Sequence, residues 1–389
     1  MNKTFISFCL AVVQAIAAYS QETIYDYVKL GKYHIGYKDS LLFNPDFNYK
    51  AYGYNGNKPY FVQIWHPIDS NLNLNKSMSI SDLFEFNTDK NLSVIQSELN
   101  KSIKEIFIRD FISTNLITDE ENKFESFTNN DIFNLIKKIK TKSFPLEIKK
   151  TSKFPVIIYH HGSQSFSFEN YIMAEYFASR GFIFVASNYH LPYENTVFGL
   201  IPFDQLVNNE QEDSLKFILD FTNSLTSSKN VFYIGHSWGA QMGLRAFSCI
   251  DSITGMISLE TTLEFKKDKE SVREMWPELY QKIYVEKAAY PFPIMFCAAT
   301  GEEKPFNIFN NLSFKQKTFV TTKEDFQHNA YLSVFYSRYF IDEKVFQADK
   351  KAFKNNITIY SKHLKIIEKF IDDILTNEIN NEPETIFVN

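Results

Sequence analysis

Residues 231–239 read Val-Phe-Tyr-Ile-Gly-His-Ser-Trp-Gly, so an apolar β-type run enters a Gly-x-Ser-x-Gly pentapeptide. Helical periodicity follows at once, from Ala240 to Cys249. A serine held between two glycines at a strand-to-helix turn sits on strained backbone. The missing side chains let strand and helix close tightly, and the hydroxyl is pushed outward. The bland alternative is a tight βα turn whose serine only caps a helix. The flanks meet the structural condition for the sharper reading, which makes Ser237 the candidate nucleophile.

The surrounding chain supplies a frame for such a turn. Strand and helix alternate regularly from Phe154: Pro155–Tyr159 as a buried strand, Glu169–Arg180 as an amphipathic helix ended by Gly181, and Gly181–Ser187 as the next strand. A helix at roughly 204–224, the elbow itself, and strands at Gly255–Leu259 and Pro293–Ala299 continue the series. Short apolar runs separated by helices imply a mostly parallel sheet with helices on both faces. Upstream, Tyr25–Asp39 and Pro59–His66 alternate apolar and polar side chains, as an antiparallel start to the sheet would. A long helix is expected from about Ile357 to Glu378, and 381–389 reads as a flexible tail.

Two stretches interrupt this frame. Residues 69–150 shift to Asn, Ser, Lys and Glu but keep helical spacing in Val94–Ile112 and Asp131–Ile139, which predicts a helical insertion rather than a disordered linker. Residues 261–290 form a second polar excursion, a candidate lid segment. Residues 1–20 carry Lys3, an apolar stretch from Phe5 to Ala18, and small residues Ala18 and Ser20 before Gln21. This pattern predicts a secretory signal peptide cleaved after Ser20, a catalytic domain over 21–380, and a secreted or periplasmic product. Its apolar run is too short to span a membrane comfortably, and no later segment is long and apolar enough. Cys9 leaves with the signal. Cys249 and Cys297 read as small core residues, with a bridge between them left open. A net charge of −5 and no basic tract argue against nucleic acid as a partner.

A serine hydroxyl needs a base within reach and a third group to orient that base. In a strand–elbow–helix unit these follow the nucleophile in the order acid, then histidine. Only His328 and His363 lie after Ser237. His363 falls within the terminal helix, so His328, in a loop after Thr318-Phe-Val320, is the expected base. Two positions compete for the acid. Glu260 abuts the end of the strand Gly255–Leu259, whereas Glu302 and Glu303 follow the next strand on a polar loop. Glu260 is preferred, because a carboxylate set against an apolar strand has little reason to be there unless paired. The oxyanion of an acyl-transfer intermediate needs preorganised N–H donors. The expected pair is the amide of Trp238 and that of Ser163 in the loop His160-His-Gly-Ser-Gln164, with Gln164 as alternative. Adjacent His160 and His161 point to opposite faces of a strand and make a poor metal site, so no metal is expected there.

The sequence resembles the α/β-hydrolase superfamily, and within it the platelet-activating-factor acetylhydrolase and dienelactone-hydrolase-like branch. The resemblance is carried by Phe154–Gly162, Tyr176–Ala186, Gly235-His-Ser-Trp-Gly239, Gly255–Glu260 and Phe326-Gln-His328. It spans roughly 58–68 and 154–340 and leaves both insertions unmatched. It implies the α/β-hydrolase fold, ester hydrolysis through a serine acyl-enzyme with no metal and no organic cofactor, and an acid after the strand that follows the nucleophile helix. The branch usually carries aspartate there, and Glu260 departs from that pattern. The expectation is therefore an exported serine esterase acting on a small-molecule or lipid-like ester. A peptidase or acyltransferase on the same triad is the first alternative, and a non-catalytic binding protein that keeps the fold is the second.

Overall fold

The computed structural model describes residues 23–68, 74, 76–86, 90–112, 128–148, 152–207, 210–248, 252–261, 268–300, 309–322, 326–337, 350–378 and 383–388. The expected signal peptide with Cys9, and also Cys249, Glu302 and Glu303, lie outside these residues.

Among the described residues ten strands form one sheet: β1 (His34–Ala51), β2 (Tyr54–Ile68), β3 (Ser143–Pro145), β4 (Val156–His160), β5 (Ile183–Ser187), β6 (Val231–His236), β7 (Gly255–Leu259), β8 (Ala289–Thr300), β9 (Ser313–Thr322) and β10 (Glu384–Val388). Their order is β10-β9-β8-β7-β6-β4-β5-β2-β1-β3. From β5 to β10 the pairing is parallel, while β2 runs antiparallel to both β5 and β1. The sheet is thus mostly parallel with an antiparallel start, as the alternating segments implied.

The strand-side periodicity shows why helices cover both faces. In β4, Ile157 and Tyr159 join one buried layer with α3 (Tyr171–Ala178) and α9 (Lys350–Thr376). Val156 and Ile158 face the other layer, which holds α4 (Glu210–Thr222) and α5 (Trp238–Ala246). Successive side chains of a strand point to opposite faces, so an unbroken apolar run must be covered twice. Gly181 ends α3 at φ 102°, where Phe182 N donates to Phe177 O at 3.1 Å.

Residues 69–150 carry α1 (Ser93–Ile112) and α2 (Asn129–Ile136). Ile95, Leu99, Ile103 and Phe107 are buried on one stripe of α1, whereas Val94 is exposed. The ring of Phe107 stacks on Phe166 at 5.8 Å, and Phe84 meets Phe168 edge-on at 4.8 Å. The insertion is thereby bolted to the segment that follows β4. The second excursion holds α6 (Lys269–Met275), α7 (Pro277–Tyr280) and a π turn at Gln281–Val285, with Val272, Leu279 and Ile283 buried in the α5 layer. The short helix α8 (Ser333–Ser337) precedes α9.

Several boundaries differ from the sequence reading. A 3-10 turn occupies Ile24–Asp26, and β1 starts at His34 and runs on to Ala51. The reading of 381–389 as a flexible tail does not hold over Glu384–Val388, which pairs in parallel with Thr318–Thr322 as the edge strand β10. This pairing is long-range, so nothing in the short polar-flanked run signals it. No helix among the described residues is long and apolar enough to cross a membrane.

Candidate active site

The carboxyl ends of β4, β6 and β7 meet at one edge of the sheet, where ligands gather in open α/β architectures. At the end of β6, Ser237 has φ 52° and ψ −115°, a conformation that non-glycine residues seldom adopt. Its two glycines are required by close approach. A Cβ on Gly235 would stand 2.5 Å from Ala240 N, and one on Gly239 would stand 2.2 Å from His160 O. The strained turn is held by backbone: Ser237 N donates to Leu259 O at 3.0 Å, tying the elbow to the end of β7.

Glu260 directly follows β7 and is also left-handed, at φ 48°. Its amide donates to Cys297 O at 2.9 Å in β8, and its side chain is fully buried. His328 opens a 3-10 turn at His328–Tyr331, and its Nδ1 lies 3.2 Å from Glu260 Oε2. This is ion-pair distance without full hydrogen-bond alignment, and neither Glu260 oxygen has a hydrogen-bond partner among the described residues. Burying an unpaired carboxylate is costly, so the imidazole is the neighbour that gives this one a reason to be there. The His328 side chain keeps 34% of its surface exposed, open to an approaching molecule. Ser237, Glu260 and His328 thus gather at one sheet edge.

The residue before Ser237 links the elbow to the His328 turn. His236 Nε2 lies 3.3 Å from His328 O, and the two rings are 4.5 Å apart. A carbonyl only accepts, so Nε2 carries the proton. Nδ1 is then a bare lone pair, without a hydrogen-bond partner among the described residues and 3.9 Å from Glu169 Oε1. Burial pulls the His236 pKa well below the usual imidazole value, and the nearby His328 ring adds to the effect.

The loop after β4 packs on Ser237. A Cβ on Gly162 would lie 3.1 Å from His236 Nδ1 and 3.6 Å from the Ser237 Cβ. Ser163 is exposed beyond it, and Gln164 takes φ 51°. Trp238 is the first residue of α5, where a backbone N–H has no acceptor within its own helix. Its indole Nε1 donates to Gln211 Oε1 at 3.0 Å.

Beneath this loop lies a buried carboxylate that the sequence reading placed at the start of an amphipathic helix. Glu169 Oε1 accepts from Tyr159 Oη at 2.6 Å and from Gly162 N at 3.2 Å, and Oε2 accepts from Ser165 Oγ. Next to it, Asn170 Nδ2 donates to Tyr159 Oη at 2.8 Å, and Asn170 Oδ1 accepts from Ser333 N at 3.0 Å. The backbone of Glu169 accepts from Val334 N at 3.1 Å. One buried network therefore fastens the Gly162 loop to the segment just after His328. The available signal was a lone acid in the aromatic run Phe166-Ser-Phe-Glu-Asn-Tyr171.

The remaining histidines are structural neighbours. His160 stacks on Tyr189 at 3.8 Å. His161 Nε2 accepts from Tyr189 N at 3.2 Å and its Nδ1 donates to Gly162 O at 2.8 Å. Burial lowers its pKa to about 4, so it is a neutral imidazole. His363 is buried in α9, with Nε2 3.0 Å from Thr322 Oγ1, and its pKa falls to about 3. Cys297 is buried in β8.

No family model matches this chain, and neither does any curated protein. Solved structures do match. A ferulic acid esterase from Streptomyces cinnamoneus superposes with a TM-score of 0.52 at 12% identity, covering 89% of this chain and 92% of that one. A dienelactone hydrolase from Anabaena variabilis gives a TM-score of 0.31 at 14% identity over 55% of this chain and 87% of that one, too low to carry an argument. With the sheet order and the strand–elbow–helix unit already described, the first of these likenesses shows that the chain has the α/β-hydrolase fold.

Proposed function

We propose that this chain is an exported serine hydrolase that cleaves carboxylic esters through an acyl-enzyme. Ser237 is the nucleophile, His328 the general base and Glu260 the acid that orients it. The amides of Trp238 and Ser163 form the oxyanion hole. What carries the reading is the approach of His328 Nδ1 to the buried Glu260 carboxylate, at 3.2 Å, beside a serine on left-handed backbone.

The chemistry follows from that arrangement. With Nδ1 turned to Glu260, His328 presents Nε2 to the Ser237 proton. The Ser237 oxygen attacks the ester carbonyl as the proton moves to His328, and the buried carboxylate steadies the imidazolium. The carbonyl oxygen becomes an oxyanion and is met by amide donors that need no reorganisation. Collapse expels the alcohol, which takes its proton from His328. Water then repeats the sequence, releasing the acid and restoring Ser237. Export rests on the pattern of residues 1–20. The acetylhydrolase-like segments favour a short acyl chain on a lipid-like alcohol, and the structural likeness adds feruloyl esters to the panel worth assaying.

The purified protein is expected to release p-nitrophenol from short-chain esters, and Ser237→Ala to lower that rate by about three orders of magnitude or more. Comparable turnover of a peptidyl anilide would favour a peptidase. An unchanged rate in Ser237→Ala would reject the reading.

A further inference from the structure

The segment that joins β5 to α4 keeps apolar side chains in water where the rest of the fold hides them. Val197, Leu200, Phe203, Leu206 and Val207 are all exposed, Phe203 to 94%. The other exposed large apolar residues among those described are scattered through the sequence, whereas these five fall within eleven positions. Scattered apolar residues are ordinary, but a cluster marks a surface with a use.

The segment is not loose. Phe198 and Ile201 turn inward against the core, and Gln205 clamps the backbone of Lys50, its Nε2 donating to Lys50 O at 2.8 Å and its Oε1 accepting from Lys50 N at 3.3 Å. Successive turns close at Val197–Leu200 and Pro202–Gln205, with N–O distances of 3.0 and 2.9 Å. The outward apolar residues are what remains after the inward side has been satisfied. The segment also borders the candidate active site: a Cβ on Gly199 would lie 3.5 Å from Gln164 Cα, in the loop that carries Ser163.

Charge selects the occupant. Between Arg180 and Lys216 the sequence has no lysine or arginine, and it carries Glu194 and Asp204 on its exposed side. Lys50, gripped through its backbone, is a single cation and not a cluster. An anionic membrane is recognised by clustered Lys and Arg beside apolar anchors, and residues 181–215 supply none. We infer that residues 197–207 form a docking ridge for an uncharged or zwitterionic lipid–water interface, which seats the Ser237 site over esters held in that interface. The substrate part of this statement rests on the esterase reading, and the docking part does not.

The test separates the two. The purified chain, native and Ser237→Ala, is expected to co-sediment equally with phosphatidylcholine vesicles. Phe203→Ser combined with Leu206→Ser is expected to weaken that partitioning by about tenfold or more, since each side chain loses an apolar burial. The same double variant should keep the native rate on soluble p-nitrophenyl acetate, which also shows that it is folded. Absence of binding to phosphatidylcholine, binding confined to phosphatidylglycerol vesicles, or equal binding by the double variant would each overturn the ridge. So would a concentration-dependent dimer that the double variant abolishes, because the occupant would then be a second copy. Loss of turnover in Ser237→Ala with vesicle binding intact bears on the esterase reading alone.

Discussion

His328 Nδ1 stands 3.2 Å from Glu260 Oε2, and that carboxylate has no hydrogen-bond partner among the described residues. Glu260→Gln therefore removes a charge that faces the imidazole. On the proposed mechanism kcat should fall by about three to four orders of magnitude with KM little changed, as loss of tautomer control does in triads. The melting temperature should hold or rise, because an uncompensated buried charge is also removed. A rate close to native, measured in steady state, would move the acid elsewhere.

Glu169 gathers three donors, from Tyr159, Gly162 and Ser165, beneath the loop that bears Ser163. Glu169→Gln replaces one accepting oxygen by a donating amide and leaves at least one buried donor unmet. The expected cost is about 1–3 kcal/mol in denaturant unfolding. If the loop also supplies the oxyanion donor, kcat should drop by about tenfold or more while KM stays near native. Loss of stability without loss of kcat would confine Glu169 to a structural role.

Gly239 has no room for a side chain, since a Cβ would meet His160 O at 2.2 Å and His161 O at 2.8 Å. Both obstacles are backbone and cannot swing aside. Gly239→Ala should cost about 1–3 kcal/mol by forcing α5 away from β4. Because that displacement moves Ser237 and Trp238 together, labelling of Ser237 by a fluorophosphonate probe should slow disproportionately.

The buried Glu175 of α3 accepts from Lys142 N at 2.7 Å, from Ser143 Oγ at 2.6 Å and from Tyr25 Oη, stapling the insertion's end and residues 24–26 to the domain. Burial pushes its pKa up from 4.5 to about 7 against the hydrogen bonds that lower it. A native pKa above the unfolded one means that the folded state holds the proton longer. Its contribution is full below about pH 4.5 and is lost as pH climbs through about 7. Glu175→Gln should therefore gain stability relative to native protein between pH 5 and pH 8, by about 3 kcal/mol at most. His161 and His363 act with the opposite sign, because their pKa values of about 4 and about 3 make the fold lose stability as pH falls below 6.5. Thermal unfolding of both proteins across pH 4–8 isolates the glutamate as their difference.

Much of this molecule is written locally. The elbow is legible because its constraint is local: Gly235 and Gly239 border a serine that must bend sharply, with a strand before and a helix after. The parallel sheet is legible because apolar runs such as Val156–Tyr159 are buried on both faces. Glu260 stands out for a related reason, as a carboxylate abutting such a run. His328 follows from the order of groups once Ser237 is named.

What the chain could not state by itself depends on partners distant in sequence. Glu384–Val388 becomes a strand only because β9 offers an open edge 66 residues earlier in register. Glu169 looks like a helix-starting surface acid until Tyr159, Gly162 and Ser165 fold over it. The exposure of Phe203 depends on which neighbours Phe198 and Ile201 find inside. Local sequence determined the bend at Ser237 and the layering of the sheet, through sterics and periodicity acting within a few residues. Tertiary structure alone decided which carboxylate holds the loop and which apolar side chains are left facing water, because burial is a property of the assembled whole.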